Sequence, residues 1–134
     1  MEQDYIASAK VYPTKNLGKM SILDMLAYFE EKGAMRVSDL HIKVGVPPTY
    51  RIDGDLVKLK GAVVNREIAE RLILPLLNGE STEKLDQGKS IDCSYRYGKL
   101  QYRINIFREN DGLAAAIRAL SLDIPDVTEV GFPN

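Results

Sequence analysis

The sequence predicts an α+β fold in which helices alternate with blocks of antiparallel strands. Three observations indicate this: alternating runs joined by tight-turn residues, amphipathic stretches that follow helix-start residues, and no long helical crossovers of the kind that parallel strands need. At 134 residues, with 45% hydrophobic residues, the chain is one domain by length and can bury a core without disulfides or metals. The net charge of −1 does not indicate a basic nucleic-acid surface.

The chain begins with a segment of weak regularity that is followed by a strong helix signal. Residues 1–19 lack a sustained period, so we expect an irregular leader with room for one short strand over residues 6–12. Ser21, with Asp24 three residues later, is a capping signal, and the apolar stripe after it predicts a helix that Gly33 closes. The stripe consists of Ile22, Leu23, Leu26, Ala27 and Phe29.

Turn residues then divide the chain into three short strands. These antiparallel strands are predicted over residues 38–44, 49–52 and 56–59. A Gly-Val-Pro-Pro turn over residues 45–48 separates the first two strands, and Asp53-Gly54 predicts the tight turn into the third.

Two further helices are expected before the sheet resumes. Asn65 caps a helix that runs to about residue 77, and Ser81 opens a shorter helix toward Leu85. A strand over residues 91–97 follows.

The last predicted hairpin sets two arginines opposite each other. It consists of alternating runs over residues 100–107 and 113–120, joined by turn residues 109–112. A register that pairs Ile104 with Ile117 buries the apolar side of both strands and places Arg103 directly opposite Arg118. Like charges so placed destabilise a sheet unless an anion lies between them, and paired guanidiniums match phosphate oxygens. We therefore predict an anion at this pair; the alternative is two solvated arginines on an open face.

Asp39 and His41 form a weaker signal, since alternation places both on one face of the first strand of the sheet. They predict a packing or domain-contact pair, with acid-base chemistry as the alternative. The sequence has one histidine and one cysteine, Cys93, which is too few for a site built from those metal ligands. The run Gly88-Lys89-Ser90 matches the end of a P-loop, but a predicted helix precedes it and a strand follows, the reverse of the P-loop order.

Tyrosines and arginines also interleave in the predicted strands, which is typical of sheets that stack single-stranded bases. The runs are Tyr50-Arg51, Tyr95-Arg96-Tyr97 and Tyr102-Arg103. The near-neutral charge opposes this interpretation, as does the alternation that places Tyr102 on the face opposite Arg103.

Five short motifs, in order and spacing, resemble a known family. They are Ser38-Asp39-Leu40-His41, Val46-Pro47-Pro48, Arg51-Ile52-Asp53-Gly54, Tyr102-Arg103-Ile104-Asn105 and Ala116-Ile117-Arg118. Together they resemble the N-terminal domain of the PilT-like ATPases of type IV pili, relatives of the type II secretion ATPases. The similarity runs from about residue 21 to residue 134.

The resemblance implies a PAS-like antiparallel sheet flanked by helices over residues 20–123, and a linker over residues 124–134 toward a RecA-like motor domain outside this sequence. In that family the motor domain binds ATP and Mg²⁺, and the subunits form a hexameric ring. The resemblance further implies that the N-terminal domain closes over ATP, with Arg103 and Arg118 as catalytic, cofactor-binding residues that sense the γ-phosphate. We place five other residues at turns or subunit contacts: Asp39, His41, Arg51, Asp53 and Gly54.

The leading interpretation is therefore the N-terminal domain of a hexameric pilus-retraction or secretion ATPase that drives twitching motility or type II secretion. Expected partners are its own motor domain, the neighbouring subunits of a homohexamer and inner-membrane platform proteins, with no nucleic acid and no membrane insertion. We expect a cytoplasmic location, peripheral to the inner membrane through those partners, and no ATP hydrolysis by this segment alone. The alternatives are a freestanding PAS-like module that senses a small molecule and a sheet that binds single-stranded nucleic acid.

Overall fold

A six-stranded antiparallel sheet with helices on one side forms the centre of the chain, which confirms the predicted α+β class. The computed structural model describes residues 6–33, 36–77 and 82–121. The strands are β1 (Tyr12–Pro13), β2 (Lys19–Met20), β3 (Val37–Ile42), β4 (Thr49–Ile52), β5 (Asp55–Lys58), β6 (Ile91–Tyr97), β7 (Leu100–Glu109) and β8 (Gly112–Ser121). The helices are α1 (Ile22–Lys32), α2 (Arg66–Ile73) and α3 (Glu83–Asp86).

The strand order of the main sheet is β5-β4-β3-β8-β7-β6, and every neighbouring pair is antiparallel. The predicted bounds of β4 and β6 are confirmed. Strand β3 begins one residue and ends two residues earlier than expected, and β5 begins and ends one residue earlier. The Asp53-Gly54 turn is also confirmed. Both residues have positive φ, 52° and 88°, which is the conformation that two-residue hairpin turns require.

The leader differs from the prediction, because its described part packs with the domain. The strand expected over residues 6–12 is instead Tyr12–Pro13, which pairs with Lys19–Met20 in a small separate hairpin. Tyr12 is fully buried, and its hydroxyl donates to the carbonyl of Ala62 at 2.7 Å. The expected linker over residues 124–134 lies outside the described residues, as does Ser81.

Helix α1 begins and ends where the sequence predicts. The Ser21 hydroxyl accepts from the Asp24 amide at 3.0 Å, and the Asp24 carboxylate accepts from the Ser21 amide at 2.8 Å. This is a complete capping box, and Gly33 ends the helix with φ 97°. The buried stripe contains Met25, which was not expected, whereas Leu23 is only half-buried and Ala27 is exposed. Ala27 is exposed because it lies well away from the direction of Ile22 in a 3.6-residue period.

Helix α2 is also capped as predicted, since the Asn65 side chain accepts from the Ile68 amide at 2.8 Å. The α-helical geometry stops at Ile73, and a 3-10 turn (Leu74–Leu77) completes the predicted segment. Pro75 explains the change, because proline has no amide hydrogen to continue the α-helical bonding pattern. None of the helices in the described ranges is long and apolar enough to cross a bilayer.

Two buried tyrosines fasten α1 to the sheet. The hydroxyl of Tyr50 donates to the carbonyl of Met25 at 2.6 Å, and that of Tyr102 donates to the carbonyl of Leu26 at 2.7 Å. The ring of Phe29 lies edge-on to both, with centroid distances of 5.6 and 5.3 Å. One face of the sheet therefore packs against the hydrophobic core, and polar side chains lie on the other face.

Candidate anion-binding site

The β7–β8 hairpin has the predicted register. Ile104 pairs with Ile117, and both side chains are buried on the helix side of the sheet. Arg103 pairs with Arg118 one position away, so both guanidiniums project from the opposite, exposed face. The sequence prediction that these two arginines are direct cross-strand neighbours is confirmed.

The arginine pair belongs to a row of six side chains, one from each strand, that crosses the exposed face. In strand order the row is Leu56, Arg51, Asp39, Arg118, Arg103 and Ser94. Asp39 thus separates Arg51 from Arg118, whereas nothing in the row separates Arg118 from Arg103. The row contains three positive charges and one negative charge, and its excess of positive charge lies at the arginine pair.

Asp39 provides the internal counter-charge. Its Oδ1 accepts from Nε of Arg118 at 3.2 Å, its Oδ2 accepts from the Ser38 hydroxyl at 2.7 Å, and Nε of Arg51 lies 3.7 Å from Oδ2. Partial burial raises the pKa of Asp39, but hydrogen bonds from Ser38 and Arg118 and the charge of Arg118 lower it by more. The net pKa lies below the usual value, so Asp39 is ionised at neutral pH.

The two arginines of the pair have different environments. Arg118 donates to Asp39 from Nε, and neither of its terminal nitrogens makes a hydrogen bond within the described residues. Arg103 makes no hydrogen bond or ion pair with any residue in the ranges that the structure covers. Donors of both guanidiniums are therefore available to an external anion.

A groove of about 240 Å³ lies beside the pair. Ala116 lies between His41 and Asn105 on the exposed face. Because its side chain is small, it leaves a depression in the surface at this position. Asp92 closes one side and accepts a hydrogen bond from the Asn105 amide at 2.8 Å. The groove is open to solvent, and it is smaller than the pockets of roughly 300–1,000 Å³ that usually enclose a whole small-molecule ligand.

Asp39 and His41 lie on one face of β3, as predicted, with Leu40 and Ile42 buried on the other. They do not form an acid-base pair: the Asp39 oxygens accept from Ser38 and Arg118, and no hydrogen bond joins Asp39 to His41 in the described part of the chain. Within the same part, no group of three or more His, Cys, Asp or Glu residues could hold a metal ion.

Arg51, Asp53 and Gly54 are grouped at the β4–β5 turn, in agreement with their predicted place at a turn. Arg51 donates from Nη1 to the carbonyl of Gly54 at 3.0 Å. Arg36 binds Asp53 through two nitrogens, at 2.9 and 3.3 Å. Sequence reasoning missed Arg36, because no local pattern connects residues that are 17 positions apart.

The tyrosines that suggested base stacking face mainly away from the arginine row. Tyr50 and Tyr102 are buried against α1, so neither can stack on a base. The segment Gly88-Lys89-Ser90 lies between α3 and β6, the helix-then-strand order that does not form a P-loop.

Comparison with known proteins shows which proteins this chain is similar to. No protein-family model matches the sequence. The type IV pilus retraction ATPase PilT of Pseudomonas aeruginosa is 28% identical over 114 residues, which are 84% of this chain and 32% of PilT. The type IV pilus ATPase PilU of the same organism is 23% identical over 118 residues, which are 86% of this chain and 30% of PilU. This chain is therefore a homologue of type IV pilus ATPases, and it spans about a third of the length of these relatives.

Solved structures agree with this assignment. The crystal structure of the pilus retraction motor PilT with bound ADP matches with a TM-score of 0.66 and 27% identity, over 87% of this chain and 34% of that one. The Legionella pneumophila ATPase DotB matches with a TM-score of 0.62 over 81% of this chain and 31% of that one; at 22% identity it shows the fold alone. The resemblance to the N-terminal domain of PilT-like ATPases is confirmed.

Proposed function

We propose that this chain is the N-terminal domain of a hexameric pilus-retraction or secretion ATPase and that it closes over ATP bound to a motor domain of the parent protein. The observation that carries the proposal is the opposed pair Arg103 and Arg118, both with guanidinium donors exposed beside an open groove of about 240 Å³. The relatives support the kind of machine, since one is named a pilus retraction ATPase and its solved counterpart contains ADP.

In the closed arrangement the two guanidiniums bind the γ-phosphoryl oxygens and stabilise the charge that develops on them. ATP and Mg²⁺ supply the transferable phosphoryl group and its counter-charge, and the motor domain holds most of both. Because the arginine contact exists only when the domains are closed, loss of the γ-phosphate favours opening. Hydrolysis is thereby converted into a rotation of this domain against the motor, and the ring uses that rotation for pilus retraction in twitching motility or for type II secretion.

The proposal also covers assembly. Asp39, His41, Arg51, Asp53 and Gly54 lie on the exposed face or at its β4–β5 end, where a neighbouring subunit of a homohexamer can contact them. The other partners are the motor domain itself and inner-membrane platform proteins of the pilus or secretion machine. These partners imply a cytoplasmic location at the inner membrane.

Steady-state ATPase activity of the full-length parent protein tests the role of the arginines. Arg103→Ala and Arg118→Ala are each expected to lower kcat by roughly 100-fold or more, since each removes a donor from the transferring phosphoryl group. Arg96→Ala is the matched control, because Arg96 is an exposed arginine on the same face but on edge strand β6 and outside the groove. Unchanged turnover in both test variants would contradict the proposal, as would a parent sequence without a P-loop.

Nucleotide titration of this chain alone separates the proposal from a freestanding sensor. We expect weak, arginine-dependent binding, since an open groove of about 240 Å³ is smaller than the pockets of roughly 300–1,000 Å³ that enclose whole ligands. Tight binding of ATP by the isolated chain would favour the sensor instead.

A further inference from the structure

We infer that Asp39 is a positioning residue that holds Arg118 by its Nε, so that the terminal nitrogens of Arg118 and the guanidinium of Arg103 bind one terminal phosphate together. This inference rests on the proposed function and extends it to a residue that does not itself contact the phosphate. It gives the two arginines different tasks: Arg118 is fixed in advance, and Arg103 is free to follow the ligand.

The first support is that Asp39 is more firmly held than the arginine it contacts. The Asp39 side chain is 14% exposed, whereas that of Arg118 is 67% exposed. The second carboxylate oxygen is occupied by the Ser38 hydroxyl at 2.7 Å and lies 3.7 Å from Arg51. A carboxylate that is held in place restricts the exposed guanidinium beside it. This restriction reduces the entropic cost of ordering the guanidinium when a ligand binds.

The second support is the backbone around Asp39. The pairing of β3 with β4 is irregular between Val37 and Asp39, which is where a bulge re-aims side chains. Val37 is fully buried although it stands two positions before Asp39, and regular alternation would have put both on one face. The irregularity therefore lets β3 bury Val37 and still place the Asp39 carboxylate, which accepts from the Ser38 hydroxyl, beside Arg118.

The third support is the atom through which the bond is made. A carboxylate that merely neutralised Arg118 could bind two of its nitrogens side by side, as Asp53 binds Nε and Nη2 of Arg36. Asp39 instead takes only Nε of Arg118 and leaves both terminal nitrogens without a hydrogen bond to the described residues. Those nitrogens, next to Arg103, form the fork that phosphate oxygens require.

Phosphate binding to this chain distinguishes positioning from simple electrostatics, because the two predict opposite changes in affinity when Asp39 is replaced. If Asp39 only adds negative charge near the arginines, its removal should strengthen the binding of an anion. If Asp39 positions Arg118, Asp39→Ala should weaken the binding of inorganic tripolyphosphate, by roughly 3- to 10-fold, even though the chain becomes more positive. Asp39→Asn keeps an oxygen acceptor for Nε and should fall between wild type and Asp39→Ala.

Asp92→Ala is the matched control, because Asp92 is also an acidic residue of the groove but accepts from Asn105 and not from an arginine. It should bind tripolyphosphate at least as tightly as wild type. Equal or tighter binding by Asp39→Ala would overturn the inference. Circular dichroism and thermal unfolding identify variants that fail to fold. If Asp39→Ala is one of them, Asp39→Asn is compared with wild type instead.

A second measurement tests the positioning role of Asp39 independently of the proposed function. In the NMR spectrum of this chain without phosphate, the Nε–Hε signal of Arg118 should move in Asp39→Ala and that of Arg103 should not. An unchanged Arg118 signal would overturn the positioning role whatever the ligand is. If that signal moves but Arg103→Gln and Arg118→Gln bind tripolyphosphate like wild type, the positioning contact is real and the proposed phosphate role fails.

Discussion

Arg103 and Arg118 are direct cross-strand partners in β7 and β8, yet only Arg118 has an acidic partner. Asp39 compensates one charge of the pair and leaves the other without a partner in the described part of the chain. Like charges in this position destabilise a sheet. The free chain therefore retains a local repulsion that a bound anion would relieve.

The two arginine substitutions should differ in their effect on stability. Arg103→Gln should raise the free energy of unfolding by about 0.2–1 kcal/mol at low salt, because it removes the repulsion and breaks no bond. Arg118→Gln should give a lower free energy of unfolding than Arg103→Gln, by up to about 1 kcal/mol, because it relieves the same repulsion but also removes the partner of Asp39. Urea denaturation measures both, and the Arg103→Gln gain should disappear near 1 M salt, where charges are screened.

Arg96→Gln serves as the control, since it removes an exposed arginine from the same face without affecting the pair. Its free energy of unfolding should match that of wild type. A loss of stability in Arg103→Gln would show that Arg103 has a stabilising contact and would remove the reason for expecting an anion.

The contribution of Asp39 to stability should depend on pH. Partial burial raises the pKa of Asp39, but the bonds from Ser38 and Arg118 lower it further, so the folded pKa lies below the ordinary value of 3.8. A carboxyl of this kind stabilises the fold above its unfolded pKa, and the contribution is lost as the pH falls through the folded pKa. Wild type should therefore be more stable than Asp39→Asn at pH 7, by about 1 kcal/mol, and this difference should shrink below about pH 4.

Urea denaturation of both proteins at pH 7, 5 and 3 measures this difference. The values at pH 7 and 5 should agree, because Asp39 is ionised at both. A stability difference that stays constant down to pH 3 would mean that the charge of Asp39 does not act on the folded state.

The parts of the fold that sequence predicted correctly are those that depend on neighbours along the chain. The Ser21–Asp24 capping box and the Asp53-Gly54 turn each use residues within three positions of one another. The arginine pair was also predictable, because the period-2 pattern of two adjacent runs leaves one register that buries Ile104 and Ile117 together.

The contacts that sequence did not predict join distant segments. Asp39 and Arg118 are 79 positions apart, and they meet only because β3 lies beside β8 in the sheet. Nothing local specifies that strand order. Burial of Tyr12 was missed for the same reason, since its partner, the Ala62 carbonyl, is 50 positions away. The contact between Asp39 and Arg118 can therefore be recognised only in the folded chain.

Gly54 should be required for its backbone conformation and not for space. Its φ is 88°, and a Cβ added there would meet nothing within 4 Å. Gly54→Ala should therefore cost about 1 kcal/mol from the left-handed conformation alone. Asp55→Ala, at the adjacent exposed position of β5, is the control and should cost much less. Thermal unfolding compares the two, and equal melting temperatures would mean that the turn adopts another conformation.

Tyr102→Phe should lower stability while leaving the arginine face intact. The substitution keeps the ring that packs against Phe29 at 5.3 Å and removes only the hydroxyl that donates to the Leu26 carbonyl. Burial raises the pKa of Tyr102, so the hydroxyl stays protonated and able to donate throughout the neutral range. Loss of this bond should lower the free energy of unfolding by about 1 kcal/mol in urea denaturation.

Tyr97→Phe is the control for this substitution, because Tyr97 lies on edge strand β6 and its side chain is exposed. Its stability should stay within a few tenths of a kcal/mol of wild type. The Arg118 Nε–Hε signal should be the same in Tyr102→Phe as in wild type, since Tyr102 and Arg118 project from opposite faces of the sheet. A shifted signal would mean that the position of α1 is transmitted through the sheet to the arginines, so that the two faces are mechanically coupled.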